Sequence, residues 1–449
     1  MGCTEMKSVK KSQLIPIALL FLTFISIYYL FSSRITLAND YASSVAAARN
    51  DADNGVMVKA VEEYSTALSL NPSLDLSLEV ADKYLQNGDT RNARRWYEQN
   101  ILEVYPTEPK VYEYGMKMQI DEGNYEEAFE TYATYQKRRL HSDVVEELYK
   151  SIRYKYTISD YYTEARPFTS SNRAVVSEDE GEWVYIDRGG MEASAIYEYA
   201  GTFLNGYAPV TKNGKSYFID VSGNTILTTD YFMKANPEQK EITKFGDVQS
   251  NIVMAYDGSV WNYYDLNSYK FLFGGYKEAT PITNGIGAVT KTGVDWALIN
   301  SKGEEVTGYD FNSVVTDERG FVCRNDCLIV EKNSYYVLVD RTGKELTSEK
   351  YTAAYGFNDN TYAAVEKNGK WLFIDVKGNE IDLGDFEEAH SFSSGLAAVK
   401  KDGYWGYIDL KGNIVVDCIF NDAQMISNGI GFVKDDSLKW RMLKFYVKG

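Results

Sequence analysis

The stretch KDGYWGYIDLKGN, residues 401–413, indicates the fold of the second half of this 449-residue chain. Trp405 and Tyr407 share one face of an extended segment, because side chains alternate along a strand. Asp409 opens a turn in which a carboxylate accepts a hydrogen bond from the backbone two residues on. The stretch is therefore either an aromatic binding site or one copy of a repeated structural unit.

Repetition of the motif favours the structural unit. Aligned on its aspartate position, the chain holds eight copies at steps of 33 to 45 residues, and six of the seven tryptophans occupy one register. This regularity predicts that the tryptophans pack between neighbouring units and that the aspartates shape turns with the glycine that follows. The predicted structural positions are Trp183, Trp261, Trp296, Tyr336, Trp371, Trp405 and Trp440, with Asp187, Asp220, Asp265, Asp340, Asp375 and Asp409.

The residue pattern of each unit predicts three to four antiparallel strands. A G-x-A-x-V strand is followed by a polar hairpin turn, the tryptophan strand, an Asp-x-x-Gly turn and a last strand. Units of this size cannot bury their faces alone and must stack on one another. We predict a β-propeller of seven or eight units, since closure protects the strand edges. An open β solenoid is the alternative.

The units resemble the WG repeat family, named for the Trp-Gly pair in WGYIDLKGN. Only Trp405-Gly406 shows the literal pair, whereas Val184 and Leu372, for example, follow the tryptophan in other copies. The resemblance implies an antiparallel all-β repeat domain over residues 166–449.

Residues 40–163 show a helical period instead. In NGVMVKAVEEYSTALSLNP (54–72), small and apolar residues recur at i, i+4 spacing. Gly88 and Gly123 are 35 residues apart, each at a predicted helix–helix turn. Over about residues 40–140 the period resembles the tetratricopeptide repeat, and that resemblance implies a concave surface for a peptide or protein partner. An irregular helical bundle is the alternative. The whole chain is thus predicted to be a multidomain α + β protein.

An uncharged and mostly apolar segment, residues 14–32, precedes the helical stretch and is long enough to span roughly 27 Å of hydrocarbon. Three lysines precede the segment, and just after it there is only Arg34. The positive-inside rule then predicts a cytosolic tail at residues 1–13, a single transmembrane helix and an extracytoplasmic remainder. Single-pass anchoring and the lack of eukaryotic-type glycosylation emphasis suggest a bacterial cell membrane. The alternative is a cleaved signal peptide, for which TLA at residues 36–38 resembles the cleavage site.

The composition of the chain argues against several kinds of partner and site. The net charge of −17 argues against a nucleic-acid partner, because phosphate repels an acidic protein. Two histidines and the lack of hydrolase, phosphate-binding or zinc motifs predict no catalytic residues, no metal site and no cofactor. Cys323 and Cys327 flank a short turn, so that a disulfide is compatible with an extracytoplasmic location, with free thiols as the alternative.

The combined patterns predict a membrane-anchored extracytoplasmic scaffold that binds a protein partner or a cell-surface ligand and is not an enzyme. Recognition of cell-wall glycan by exposed tyrosines is the second reading, and a hydrolase that uses acidic residues is the third. Aromatic side chains gathered in one exposed groove favour the glycan reading, whereas two facing, desolvated carboxylates in a deep pocket favour the hydrolase.

Overall fold

The computed structural model describes residues 11–449 except 170, 180, 193–194 and 447–449, with side chains from residue 20 onward apart from that of residue 160. It divides into two compact units, Met1–Ile152 and Arg153–Gly449. The first unit is helical and the second is built from β-strands.

The helical unit consists of short helices after one long one. Helices α2 and α3, α3 and α4, and α5 and α6 are packed in sequence order, and glycines with positive φ lie at the turns: Gly55, Gly88 and Gly123. The small residues Ala60, Ala93 and Ala128 are fully buried, which permits close helix crossings. The helices are α1 Lys11–Asp53, α2 Met57–Leu70, α3 Leu74–Gln86, α4 Thr90–Trp96, a π-helical turn Tyr97–Leu102, α5 Pro109–Asp121, α6 Tyr125–Lys137 and α7 Asp143–Ile152.

Helix α1 contains the predicted membrane segment. Among the described residues it alone is long and apolar enough to cross a membrane, with a mean hydropathy of 1.5 over an 18-residue window that is entirely unburied. Exposed apolar side chains follow one another on it, including Phe21, Phe24 and Leu30. A signal sequence passes the same test of length and composition. The helix is therefore a candidate membrane anchor, and its orientation does not follow from this test. Most of the predicted cytosolic tail lies outside the described residues.

The prediction that helical structure extends to residue 163 is wrong. Helix α7 ends at Ile152, and the segment YTISDYY forms a strand, Tyr156–Tyr162, that belongs to the β unit. This segment forms a strand because its β-branched and aromatic residues favour extended backbone and because a partner strand lies at the far end of the chain. Tyr156 pairs with Phe445, and Ile158 pairs with Leu443, in antiparallel register.

The β unit is an eight-bladed propeller. Its strands form eight separate sheets of three or four strands. In chain order the strands are β1 Tyr156–Tyr162, β2 Glu164–Ala165, β3 Ala174–Ser177, β4 Trp183–Ile186, β5 Tyr199–Ala200, β6 Ala208–Lys212, β7 Lys215–Ile219, β8 Thr225–Thr228, β9 Lys244–Gln249, β10 Ile252–Tyr256, β11 Trp261–Asp265, β12 Phe271–Tyr276, β13 Glu278–Ala279, β14 Ile286–Thr290, β15 Ala297–Asn300, β16 Ser313–Val314, β17 Cys327–Lys332, β18 Tyr335–Asp340, β19 Ala353–Ala354, β20 Ala363–Lys367, β21 Lys370–Ile374, β22 Glu380–Ile381, β23 Glu388–Ala389, β24 Leu396–Lys401, β25 Tyr404–Asp409, β26 Ile414–Phe420, β27 Asp422–Ala423, β28 Ile430–Lys434 and β29 Trp440–Phe445, with helix α8 Thr229–Ala235 after β8.

Blades 1 to 7 are formed by consecutive strands, and blade 8 combines the two ends of the unit. Blade 1 holds β2–β4, blade 2 β5–β8, blade 3 β9–β12, blade 4 β13–β15, blade 5 β16–β18, blade 6 β19–β22 and blade 7 β23–β26. Blade 8 holds β27, β28 and β29, and β1 is its fourth strand. The N-terminal strand therefore closes the ring.

Hydrophobic clusters fill the space between consecutive blades. The cluster between blades 8 and 1 contains Val176 and Ile186 from blade 1 with Ile430 and Met442 from blade 8. The rings of Phe168 and Phe432 stack across the same junction at 5.6 Å between centroids. Blades 8 and 1 pack together, and the sheet of blade 8 combines strands from both ends of the β unit. The ring is therefore closed, and the open-solenoid alternative is wrong.

The first strand of each blade lies nearest the axis of the ring. Glu318, which follows the first strand of blade 5, accepts a hydrogen bond from the backbone N–H of Met425 in blade 8 at 2.8 Å. Blades 5 and 8 are not neighbours, so such a contact requires both residues to lie at the centre. The segments around β2, β5, β9, β13, β16, β19, β23 and β27 thus line a central channel.

Candidate binding site in the central channel

The tryptophan register lies between blades. Trp371 and Trp405 are buried in the clusters that join blades 6 to 7 and 7 to 8, and the other members border the equivalent clusters: Trp183, Trp261, Trp296, Tyr336 and Trp440. In blade 2, where Ser216 takes the place, its hydroxyl accepts a hydrogen bond from the N–H of Phe245 at 2.9 Å. These residues therefore connect each blade to the next.

The aspartate register forms turns. Asp409 Oδ1 accepts hydrogen bonds from the N–H groups of Lys411 and Asn413 at 2.9 and 3.0 Å. Equivalent bonds to backbone N–H groups hold Asp187, Asp220, Asp265, Asp340 and Asp375. At Asp220 the hydrogen bond from the backbone of Asn224 is the main cause of a lowered pKa. These carboxylates are thus already bonded to their own turns.

Of the two alternatives for Cys323 and Cys327, a disulfide or free thiols, the structure has free thiols. Asn325 and Asp326 are the two central residues of a hairpin turn, with φ of 54° and 64°, and Arg324 pairs with Cys327. Cys323 is one residue further from the turn, and therefore points to the opposite face from Cys327. The two free thiols are buried in different clusters, between blades 4 and 5 and between blades 5 and 6. Burial raises the pKa of Cys323 to about 11 and that of Cys327 to about 12.

One sector of the channel wall, formed by blades 1 to 3, is cationic and aromatic. The guanidinium of Arg166 lies 4.5 Å from the ring centre of Trp183 and donates to the carbonyl of Ala200 at 2.7 Å. The ammonium of Lys244 lies 4.0 Å from the ring centre of Tyr199. Burial raises the pKa of Asp247 to about 7, against the opposing effect of Arg166 and Lys244. We call these five side chains, Arg166, Trp183, Tyr199, Lys244 and Asp247, the cationic sector.

A second sector, from blades 5 to 8, is acidic and aromatic. Tyr355 donates a hydrogen bond to Glu388 at 2.7 Å, and the rings of Tyr355 and Trp405 lie 4.5 and 4.6 Å from that of His390. Glu318 Oε1 lies 3.5 Å from His390 Nδ1. Burial, followed by the hydrogen bond to Glu388, raises the pKa of Tyr355. We call Glu318, Tyr355, Glu388, His390 and Asp422 the acidic sector.

An insertion in blade 5 carries Glu318 to the axis. The segment between β16 and β17 is longer than its counterparts in the other blades, which accounts for the 40-residue step in the sequence. Its buried Asp317 lies 3.1 Å from the guanidinium groups of Arg319 and Arg324. This ion-paired turn fixes the position from which Glu318 spans the channel.

The raised pKa of Asp247 makes propeller stability depend on pH. Between pH 4 and 7 the folded state binds more protons than the unfolded state, so stability falls as pH rises through this window. Asparagine does not titrate, so Asp247→Asn should lack this loss of stability. We expect the melting temperature of Asp247→Asn minus that of the wild type to increase from pH 4.5 to 7.5. The shift from 3.8 to about 7 corresponds to about 4 kcal/mol at most, which partial exposure reduces to about 1–2 kcal/mol.

Thermal unfolding monitored by near-ultraviolet circular dichroism at several pH values measures this difference. A difference that is constant across the pH range would contradict the raised pKa. The exposed Asp385→Asn is a matched control.

Part of the β unit is similar to a known repeat family. Four stretches match the family described as WG containing repeat: residues 183–215, 338–371, 373–405 and 405–438. Each match runs from the third strand of one blade into the next blade: from blade 1 to 2, from 5 to 6, from 6 to 7 and from 7 to 8. No curated protein sequence matches the chain.

Several solved structures share a distant likeness with the chain. BamB from Moraxella catarrhalis has 14% identity, with 64% of this chain and 86% of that chain covered and a TM-score of 0.33. The β-propeller domain of Cps50 (Swd1) from Myceliophteria thermophila has 11% identity, 65% and 98% coverage and a TM-score of 0.34. PorZ, a surface component of the type-IX secretion system of Porphyromonas gingivalis, has 10% identity, 65% and 46% coverage and a TM-score of 0.33.

Sequence reasoning missed the channel residues. Arg166, Asp247 and His390 lie in or beside short strands whose residues differ from blade to blade, so no repeat signal marks them. A usable signal is present in the charged or aromatic residue at which six of the eight inner strands start, such as Glu164, Tyr199 or Glu388.

Proposed function

We propose that this chain is a membrane-anchored scaffold whose propeller binds a protein partner at the central channel. The observation that carries the proposal is the division of the channel wall into a cationic and an acidic sector, each backed by aromatic side chains. Complementary charge gives specificity for a partner that presents groups of both signs, and aromatic and arginine side chains are enriched at protein interfaces.

The distribution of fixed and variable residues supports a binding role. Tryptophans and aspartates of the repeat stabilise blades and turns, and so are alike around the ring. The residue that follows the first strand varies from blade to blade, as Arg166, Tyr355, His390 and Gln424 illustrate. A surface that varies over a constant framework is the arrangement that propellers and other repeat proteins use for recognition.

We further propose that the chain has no enzymatic activity. Among the described residues, no group of three or more His, Cys, Asp and Glu side chains is arranged to hold a metal. The carboxylates of the acidic sector are bonded to neighbours, since Glu388 accepts from Tyr355 and Glu318 accepts from Met425. Neither carboxylate is poised as a free acid or base.

The proposed topology places residues 1–13 in the cytosol and the helical and β units outside, with residues 14–32 in the membrane. It rests on the lysines before the apolar segment and on the exposed apolar surface of α1. Protease added to intact cells should degrade the chain beyond residue 35, and full protection would contradict this topology.

Partner binding is expected to depend on the cationic sector. The full-length protein, purified from membranes in mild detergent, should retain a specific partner that the double variant Arg166→Ala/Lys244→Ala retains at least tenfold less, because two interfacial charges are lost (about 1.4 kcal/mol per factor of ten). Lys302→Ala, at an exposed turn of blade 4, is the control. Equal retention by all three proteins would exclude the channel as the binding site.

A further inference from the structure

A groove lies between the turns of blades 2 and 3. Its volume is about 490 Å³, and the lining includes Tyr207, Ile226, Asn267 and Tyr269. An adjoining cavity of about 440 Å³ shares Asn205, Tyr207, Leu266 and Asn267 with it and extends to Ser250 and Asn251. The size falls in the range of about 300–1,000 Å³ that is typical of small-molecule sites.

The groove lies where the repeat is broken. The step from Asp220 to Asp265 is 45 residues, and helix α8 occupies part of the extra length. In blade 3, Tyr269 lies in the turn between β11 and β12, at the position that glycine holds in the equivalent turn of other blades. Its N–H donates to the carbonyl of Asp265 at 2.8 Å, as that of Gly412 donates to Asp409 at 3.0 Å.

Tyr269 adopts a backbone conformation that suits glycine, with φ of 61°. For a bulky side chain this conformation costs on the order of 1–3 kcal/mol. The ring of Tyr269 is held at 5.4 and 5.3 Å from those of Phe232 and Tyr231 on α8. An aromatic side chain is thus kept at a strained position and fixed beside the groove.

The chemical character of the groove is neutral, polar and aromatic. Among the described residues, no lysine or arginine lines it, so it lacks the cation that a phosphate or carboxylate ligand needs. Its one carboxylate, Asp220, already bonds the backbone and side chain of Asn224. The side chain of Asn267 is exposed and makes no hydrogen bond within the described part of the chain, so its amide offers a donor and an acceptor.

We propose that this groove binds a neutral saccharide. A sugar ring combines an apolar C–H face with hydroxyl groups that both donate and accept hydrogen bonds. Tyr207 and Tyr269 supply partly buried aromatic surface for the apolar face. Asn267 supplies an amide donor and acceptor for the hydroxyls, and Asn205 supplies its amide oxygen, because its amide nitrogen already donates to Val248 and Gln249. The volume accommodates one or two sugar units. The proposal stands independently of the channel, because it uses different residues and a different kind of ligand.

Saturation-transfer NMR and calorimetry with maltose, cellobiose and chitobiose test the proposal on the full-length protein in detergent. At least one disaccharide is expected to bind, and Tyr269→Gly and Asn267→Ala are each expected to weaken binding about tenfold or more, which corresponds to about 1.4 kcal/mol. Tyr269→Gly also relieves the strained φ, so folding should be retained. Tyr404→Ala, which removes an exposed tyrosine in blade 7, is the matched control and should bind normally.

Three results would overturn the saccharide site. The first is that none of the three disaccharides binds at about 10 mM, a concentration that detects binding free energies as weak as roughly −3 kcal/mol. The second is that both groove variants bind the disaccharide with unchanged affinity. The third is that Tyr404→Ala loses as much affinity as the groove variants. Binding of the channel's protein partner by the groove variants is expected to be unchanged, so failure of the saccharide site and failure of the channel site give different results.

Discussion

Replacement of Thr157 by proline is expected to lower the free energy of unfolding of the propeller by about 3 kcal/mol. Tyr446 donates its N–H to the carbonyl of Lys155 at 3.2 Å, so by the alternation of antiparallel pairs Thr157 and Lys444 form the next hydrogen-bonded pair. Proline removes that N–H and loosens a strand that covers the last blade. Loss of the contact between Ile158 and the core between blades 7 and 8 adds to the cost.

Denaturant unfolding of Thr157→Pro and Thr157→Ala separates backbone from side chain. Thr157 is exposed, so the alanine variant should differ from the wild type by less than about 1 kcal/mol. Equal stabilities for the proline variant and the wild type would mean that the N-terminal strand does not close the ring. A blade 8 that is stable with strands β27, β28 and β29 alone would show that result.

Replacement of Gly406 by alanine is expected to cost about 2 kcal/mol. A Cβ atom at this position would lie 2.5 Å from the carbonyl oxygen of Val416 and 2.8 Å from that of Asp417. Both obstacles are backbone atoms of the neighbouring strand, where the register shifts between Trp405 and Tyr407. Overpacking of this kind costs about 1–3 kcal/mol, and the reduced entropy of the unfolded chain offsets up to about 1 kcal/mol.

Leu372→Val is the matched control, because Leu372 holds the same register in blade 6 and already carries a side chain. It should change the free energy of unfolding by less than about 1.5 kcal/mol. If Gly406→Ala proved as stable as the wild type, strands β25 and β26 would not approach each other as closely as the structure shows. The glycine of the Trp-Gly pair is therefore a local packing requirement of blade 7, which explains why other blades replace it.

The sequence predicted the features that repeat and missed those that do not. Trp405 and Asp409 could be placed because their spacing recurs, and recurrence reports stacking and turn formation. The closing strand was assigned to the helical stretch because its partner, which ends at Phe445, is remote in sequence. Glu318 and Lys244 were missed because blades that do not touch each other bring them to the axis, and no local pattern encodes that proximity.

Cys323 and Cys327 illustrate the same limit at short range. Their separation in sequence is compatible with a disulfide, but a two-residue turn at Asn325 and Asp326 places them on opposite faces. The free thiols are determined by the turn geometry, which the residue spacing alone left open. In the groove of blades 2 and 3, the break in the repeat was visible as a 45-residue step, whereas its lining emerged only from the fold.

The closing strand also dictates when the propeller can finish folding. Thr157 meets Lys444 across 287 positions of chain, which a ribosome synthesises in roughly 15–60 s at about 5–20 residues per second. During that time the nascent propeller exposes the edge of strand β1 and the apolar faces of its first blade. A premature stop that removed only β29 would thus leave both ends of the ring unpaired, and we expect such a product to be recognised by chaperones or proteases rather than to accumulate as a smaller propeller.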